Sequence, residues 1–176
     1  MSNLKELKNK IDSVRSTRKI TQAMKMVAAS KLKRCQEVAE SARPYSERME
    51  KIVSSLAQSM SDNEMSPELL VGKKDNKNHL IIAVTSDRGL CGGFNSSIVK
   101  AVNNKINELK KESKNYKIVC IGKKGSDVLK GIYTENVILN TNINIKNGYE
   151  LAEEIGEEVI NKFNSNEYGT CSIIFN

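Results

Sequence analysis

From Asn3 to Met60 the apolar side chains recur three or four residues apart, with charged residues filling the positions between them. Leu4, Leu7, Ile11 and Val14 open the series. Met24, Val27, Ala28, Leu32 and Cys35 continue it, and Val38, Ala39, Ala42, Tyr45, Met49, Ile52, Leu56 and Met60 complete it. That spacing predicts one long amphipathic helix. Asn3 followed by Glu6 resembles a capping box at its start. Pro44 is the only residue that argues against continuity, since it removes a helix hydrogen bond. The stripe runs through it, so a continuous or mildly bent helix is expected over residues 1–60.

Beyond Met60 the period changes. Residues 61–79 read as a polar connector holding Pro67 and Gly72. Short apolar runs then alternate with helical stretches. Strands are expected at Leu80–Thr85, Lys117–Ile121, Asn136–Leu139 and Thr170–Phe175. Helices are expected at Ser97–Glu112, Ser126–Tyr133 and Gly148–Phe163. This alternation predicts a mostly parallel, Rossmann-like α/β domain over residues 80–176. The fold class is therefore α/β with a long N-terminal helix. The last residue, Asn176, falls on the end of a strand, where a domain rarely stops.

Charge sharpens the picture. The chain has 176 residues and a net charge of +7. Residues 1–60 hold 13 Lys/Arg against 6 Asp/Glu, whereas residues 61–176 hold 15 of each. The entire excess lies on the first third, and nine of its cations fall between Lys8 and Arg34. A solvated face, a nucleic-acid contact and an acidic protein surface are the three readings of such a helix. There is no aromatic before Tyr45 to stack on a base, and no zinc motif or helix-turn-helix pattern. An acidic protein surface accounts for both the charge and the stripe.

Length adds a constraint. Some 58 helical residues at about 1.5 Å each reach roughly 85 Å, about twice the diameter of a compact domain of this size. Such a helix is expected to project, and its stripe needs a second helix that this sequence does not contain. The partner is expected from another chain or from a longer version of this one.

Little in the sequence supports catalysis. His79 is the only histidine, so no His-based metal site or Ser-His-Asp triad is expected, and no cofactor. The cysteines, Cys35, Cys91, Cys120 and Cys171, form no CxxC pair and read as reduced, mostly buried thiols. The longest apolar run, Leu80–Val84, is far too short to span a bilayer. One loop is placed where α/β proteins bind phosphates: SDRGLCGGFN, from Ser86 to Asn95, between a strand and a helix. Its Gly89, Gly92 and Gly93 do not fit GxGxxG, and no GxxxxGK followed by Ser or Thr occurs. A tight structural turn or a protein contact is the reading favoured over nucleotide binding. An α/β nucleotide-binding enzyme with a basic helical tail remains the alternative.

Two runs carry a family resemblance. ITQAMKMVAASKLKR, from Ile20 to Arg34, and TSDRGLCGGFN, from Thr85 to Asn95, resemble the gamma subunit of F-type ATP synthase, the central rotary shaft. The resemblance covers the whole chain and is to the N-terminal portion of such a subunit. It implies that the missing partner is the subunit's own C-terminal helix, packed as an antiparallel coiled coil. It implies that Arg18, Lys19, Met24, Lys25 and Lys31 face the ring of α and β subunits. It implies that the α/β domain is a foot docking on the epsilon subunit and the c-ring, with Asp87, Arg88, Gly89, Gly92 and Gly93 shaping a foot loop. The implied function is to couple rotation of the proton-driven membrane ring to ATP synthesis at the β-subunit sites, with no catalytic residue of its own. The implied setting is peripheral, on the cytoplasmic face of a bacterial inner membrane, without nucleic acid.

Overall fold

The computed structural model describes residues 3–60, 67–73, 75–141 and 148–176. The segment read as a connector lies outside them at 61–66 and at 74. The chain divides into two compact units, Met1–Ser59 and Met60–Asn176.

The first unit is a single helix, α1, Leu4–Met60. The Asn3 N–H donates to the Glu6 carboxylate at 3.3 Å, and the Glu6 N–H donates back to the Asn3 carbonyl at 2.8 Å, closing the first turn. Pro44 sits inside the helix without interrupting it. No residue of α1 is buried. Leu4, Val14, Met24 and Met26 are all more than 60% exposed, so the apolar positions have no cover within this unit.

The second unit begins with a one-turn helix, α2, Glu68–Val71, inside the segment read as connector. The sheet strands are β1 Asn78–Val84, β2 Asn115–Ile121, β3 Val137–Thr141 and β4 Thr170–Ile174. They lie in the order β3-β2-β1-β4, and every pairing is parallel. The connecting helices are α3 Phe94–Lys111, α4 Lys123–Ile132 and α5 Gly148–Asn164. Each expected element is present, with ends shifted by up to three residues.

The alternation along β1 sorts the layers. Ile81 and Ala83 point to one face, where they meet Ile98, Val102, Ile106 and Leu109 of α3 and Leu129 of α4. Leu80 and Ile82 point to the other, against Ile155 of α5 and Tyr168. All of these are under 9% exposed. Burial of each aliphatic side chain contributes about 1.5–3 kcal/mol, and Ile106→Ala at the centre of α3 would cost about 2–5 kcal/mol.

The helices α3 and α5 stop in the same way. Ser113 and Asn166 take left-handed backbone, with φ of 54° and 65°. The Lys114 N–H then reaches the Leu109 carbonyl, and the Glu167 N–H reaches the Lys162 carbonyl. These are Schellman closures without glycine. They turn the chain back into β2 and β4.

Candidate functional site

The strand order reverses between β1 and β4, and α/β sheets open their ligand crevices at the carboxyl ends of such strands. The loop Ser86–Asn95 lies at the carboxyl end of β1 and is tied to itself. The Ser86 N–H donates to the Asn95 side-chain oxygen at 3.0 Å, and the Asn95 amide donates to the Ser86 hydroxyl at 2.9 Å and to Cys91 Sγ at 3.2 Å. The Ser86 hydroxyl donates to the Arg88 carbonyl at 2.6 Å. Asp87 Oδ1 accepts the Lys123 N–H at 3.1 Å, and the Ser86 carbonyl accepts the Lys124 N–H at 3.0 Å, pinning the loop to the start of α4.

These polar groups are consumed in holding the turn. Gly92, with φ of 59°, is the loop glycine whose backbone calls for glycine; Gly89 and Gly93 have room for a methyl. The nearest concavity, about 510 Å³, lies beside the loop between α3 and α4, lined by Ser96, Val99, Lys100 and Lys124 among others. Gly92 and Asn95 of the loop also line it, and no residue of β1 does. The loop is built as a shaped turn.

Two residues stand out here that the glycines concealed in the sequence. Leu90 takes φ of 64° and is fully exposed at the loop tip. A bulky apolar residue held in left-handed backbone and offered to solvent is costly unless something covers it. Asn95 closes the loop, and only its position at the entrance of a helix hinted at that.

The thiols differ from expectation. Cys120 is buried and Cys171 half-buried, but Cys35 and Cys91 are exposed. Cys35 was placed inside by its apolar stripe, and that stripe is uncovered. Cys91 belongs to the turn. His79 stands second in β1, 5% exposed, with Nε2 2.9 Å from the Ser172 hydroxyl. Among the described residues no cluster of His, Cys, Asp and Glu has the makings of a metal site. Among them, too, no helix is long and apolar enough to cross a membrane.

On α1 the five basic and methionine candidates do not form one patch. At about 100° per residue, Arg18 and Lys25 lie within roughly 20° of each other, as do Met24 and Lys31, and Lys19 occupies a third direction. Nor is the stripe a single straight face. Met24 and Val27 stand roughly 80–140° round from Val14, so they belong to a different side. A strict alternation of three and four residues does run the whole length. It passes from Val14 through Arg18, Thr21, Lys25 and Ala28 to Leu32, and ends through Met49, Val53, Leu56 and Met60. A 3.5-residue period drifts about 20° per heptad round a straight helix, which is the pattern of a left-handed coiled-coil seam. Three consecutive seam positions, Arg18, Thr21 and Lys25, are polar.

Comparison with known proteins draws on both units. A family model described as ATP synthase matches residues 3–176. The ATP synthase gamma chain of Sinorhizobium medicae is 43% identical over 99% of this chain and 61% of that protein. The gamma chain of Jannaschia is 46% identical over 100% of this chain and 60% of that one. This chain thus spans about three-fifths of the length of these relatives. Among solved structures it is similar to a chain in the central stalk and c-ring of Tetrahymena thermophila mitochondrial ATP synthase. That match has a TM-score of 0.65 and 27% identity over 89% of this chain and 65% of the other.

Proposed function

This chain belongs to the ATP synthase family, among its gamma chains, and from that premise we propose that it serves as the central stalk of a rotary ATP synthase. The observation that carries the proposal is α1: 57 residues of unbroken helix, with no buried residue, joined to a small parallel α/β unit. A helix of that kind transmits force or orientation between partners; it encloses no chemistry.

In this reading α1 passes through the ring of α and β subunits. Met24 and Lys31 on one side and Lys19 on another contact acidic parts of that ring in turn. Contacts spread round the helix suit a partner that surrounds it. Unit charges about 4 Å apart attract by only about 1 kcal/mol in water and several times that in a less polar gap. Such contacts bias each β-subunit site without fixing the shaft at one angle. Proton flow turns the c-ring, and the α/β unit, docked on the ring and the epsilon subunit, turns with it. The Asp87–Gly93 loop, with Arg88, Gly89 and Gly92, shapes that docking surface, and Leu90 at its tip supplies the apolar contact. The subunit makes and breaks no bond itself. The place of action is the cytoplasmic face of a bacterial inner membrane, reached through these partners.

The test is capture of this chain by purified α and β subunits, with and without a peptide matching the C-terminal helix of a gamma chain. Capture that needs the peptide and weakens at least about tenfold in Lys19→Glu/Lys31→Glu supports the stalk reading. Failure of capture under both conditions, or ATP turnover by the chain alone, overturns it.

A further inference from the structure

Helix α1 places two cations on its own seam and gives them nothing to pair with. Arg18 and Lys25 occupy equivalent positions of successive heptads in the 3-4 pattern, between Val14 and Leu32. No acid occurs between Asp12 and Glu37, so no carboxylate lies three or four residues away on this helix. Among the described residues the ion pair of α1 is Lys33 with Glu37, further along and off the seam. The third polar position is already satisfied: the Thr21 hydroxyl donates to the Thr17 carbonyl at 2.9 Å, leaving its methyl free to pack.

We propose that the seam of α1 docks a helix bearing carboxylates opposite Arg18 and Lys25, and that this charged layer sets the register of the pair. Apolar contact elsewhere on the seam tolerates a slip by one heptad, because residues seven apart, such as Leu4 and Ile11 or Leu7 and Val14, look alike to a Leu-lined partner. A slip that leaves two desolvated cations against aliphatic side chains is penalised, since an unpaired charge taken out of water has no carboxylate to replace its hydration. Polar residues at isolated seam positions fix register in coiled coils by this means. A second copy of the chain is the wrong occupant. In-register parallel pairing sets Arg18 on Arg18 and Lys25 on Lys25, and in no register or orientation does a second copy bring a carboxylate, because no seam position from Leu4 to Met60 is an acid.

The experiment uses the full chain and two synthetic helices. Each has Leu at every seam position except two that lie seven residues apart; these are a positions in a version made to run parallel to α1 and d positions in a version made to run antiparallel, so that each orientation presents a pair to Arg18 and Lys25. One carries Glu at those two positions and the other Lys. Titration should show the Glu helix binding at least about tenfold tighter. In Arg18→Glu/Lys25→Glu the order should reverse. In Lys19→Glu/Lys31→Glu, which changes net charge equally but off the seam, the order should persist. Equal binding of the two helices, with the lysine and arginine stems swinging out to water, overturns the proposal. So does binding of neither, or the same reversal in the off-seam variant. None of these outcomes bears on capture by α and β subunits, which tests the stalk reading on its own.

Discussion

Gly122 lies against Thr85 so closely that no side chain fits between them. A Cβ at Gly122 would run into the Thr85 carbonyl, and one at Gly125 into the Thr85 side chain. The Thr85 hydroxyl donates to the carbonyls of Ile121 and Gly122, each at 3.1 Å, and accepts the Gly125 N–H at 3.0 Å. This contact locks the end of β1 to the start of α4 and so fixes the base of the Ser86–Asn95 loop. Gly122 also has φ of 96°, where a side chain is strained. Gly122→Ala should therefore destabilise the α/β unit by roughly 2–6 kcal/mol, the sum of backbone strain and overpacking. Chemical denaturation checks it; a loss under 1 kcal/mol would mean that the contact relaxes freely.

Leu90 gives a prediction of opposite sign. Its left-handed backbone costs about 1–2 kcal/mol with a side chain of this kind, and among the described residues its side chain is fully exposed. Leu90→Asn, which tolerates that conformation, should raise stability by about 1 kcal/mol. On the proposed stalk reading, the same substitution should weaken docking on the c-ring and epsilon subunit. A stabilised variant with unchanged docking would remove Leu90 from the contact surface.

His79 sets a pH dependence. Burial, helped by Lys105 and Lys114 and opposed by Glu112, holds its pKa below the usual 6.5. In the unfolded chain the imidazole protonates near its ordinary value; in the folded chain it stays neutral to lower pH. The unfolded state thus binds the extra proton first. Stability from this group is fully present above about pH 6.5 and declines as pH falls toward the depressed folded value. His79→Gln should flatten that part of the stability profile. An unchanged profile would assign the acid loss to carboxylates elsewhere.

The four thiols should react in order of exposure. Cys35 and Cys91 are open to a maleimide in the native protein, Cys171 reacts more slowly, and Cys120 reacts last. Burial pushes the Cys120 thiol up to about 11, so little thiolate is present at neutral pH even when the site opens. Mass spectrometry of partially labelled protein reads this order directly. Early labelling of Cys120 would contradict the packing of β2 beneath α3.

Periodicity made most of this architecture legible. The β1 run is buried on both faces, and the α3 face of Ile98, Val102 and Ile106 repeats cleanly, so both were readable from spacing. Pro44 could be discounted because the apolar pattern keeps its phase across it. What escaped was set by contacts distant in sequence. At the start of β1, Asn78 pairs with Asn115 of β2 and His79 with Thr170 of β4, partners distant in sequence, so the strand's first residues looked like connector. Closure of the Ser86 loop by Asn95 needs only side-chain geometry, which spacing does not encode. The exposed state of Cys35 follows from α1 having no cover among the described residues, whereas an apolar stripe reads as buried whoever supplies the other side. The seam and the second apolar side of α1 were merged because a list of neighbours three or four apart does not track accumulated rotation.

The placement of β1 in the middle of the sheet has a consequence for how the protein is made. One flank of β1 is joined by β2 soon after it emerges, through partners such as Thr85 and Ile121, 36 residues apart. The other flank waits for β4, as the link between His79 and Ser172, 93 residues apart, makes plain. On a ribosome adding about 5–20 residues per second, that flank is a bare strand edge, with Leu80 and Ile82 uncovered beside it, for several seconds. The nascent chain in that interval is the form most open to pairing with its neighbours on a polysome, and the last strand is what ends the exposure.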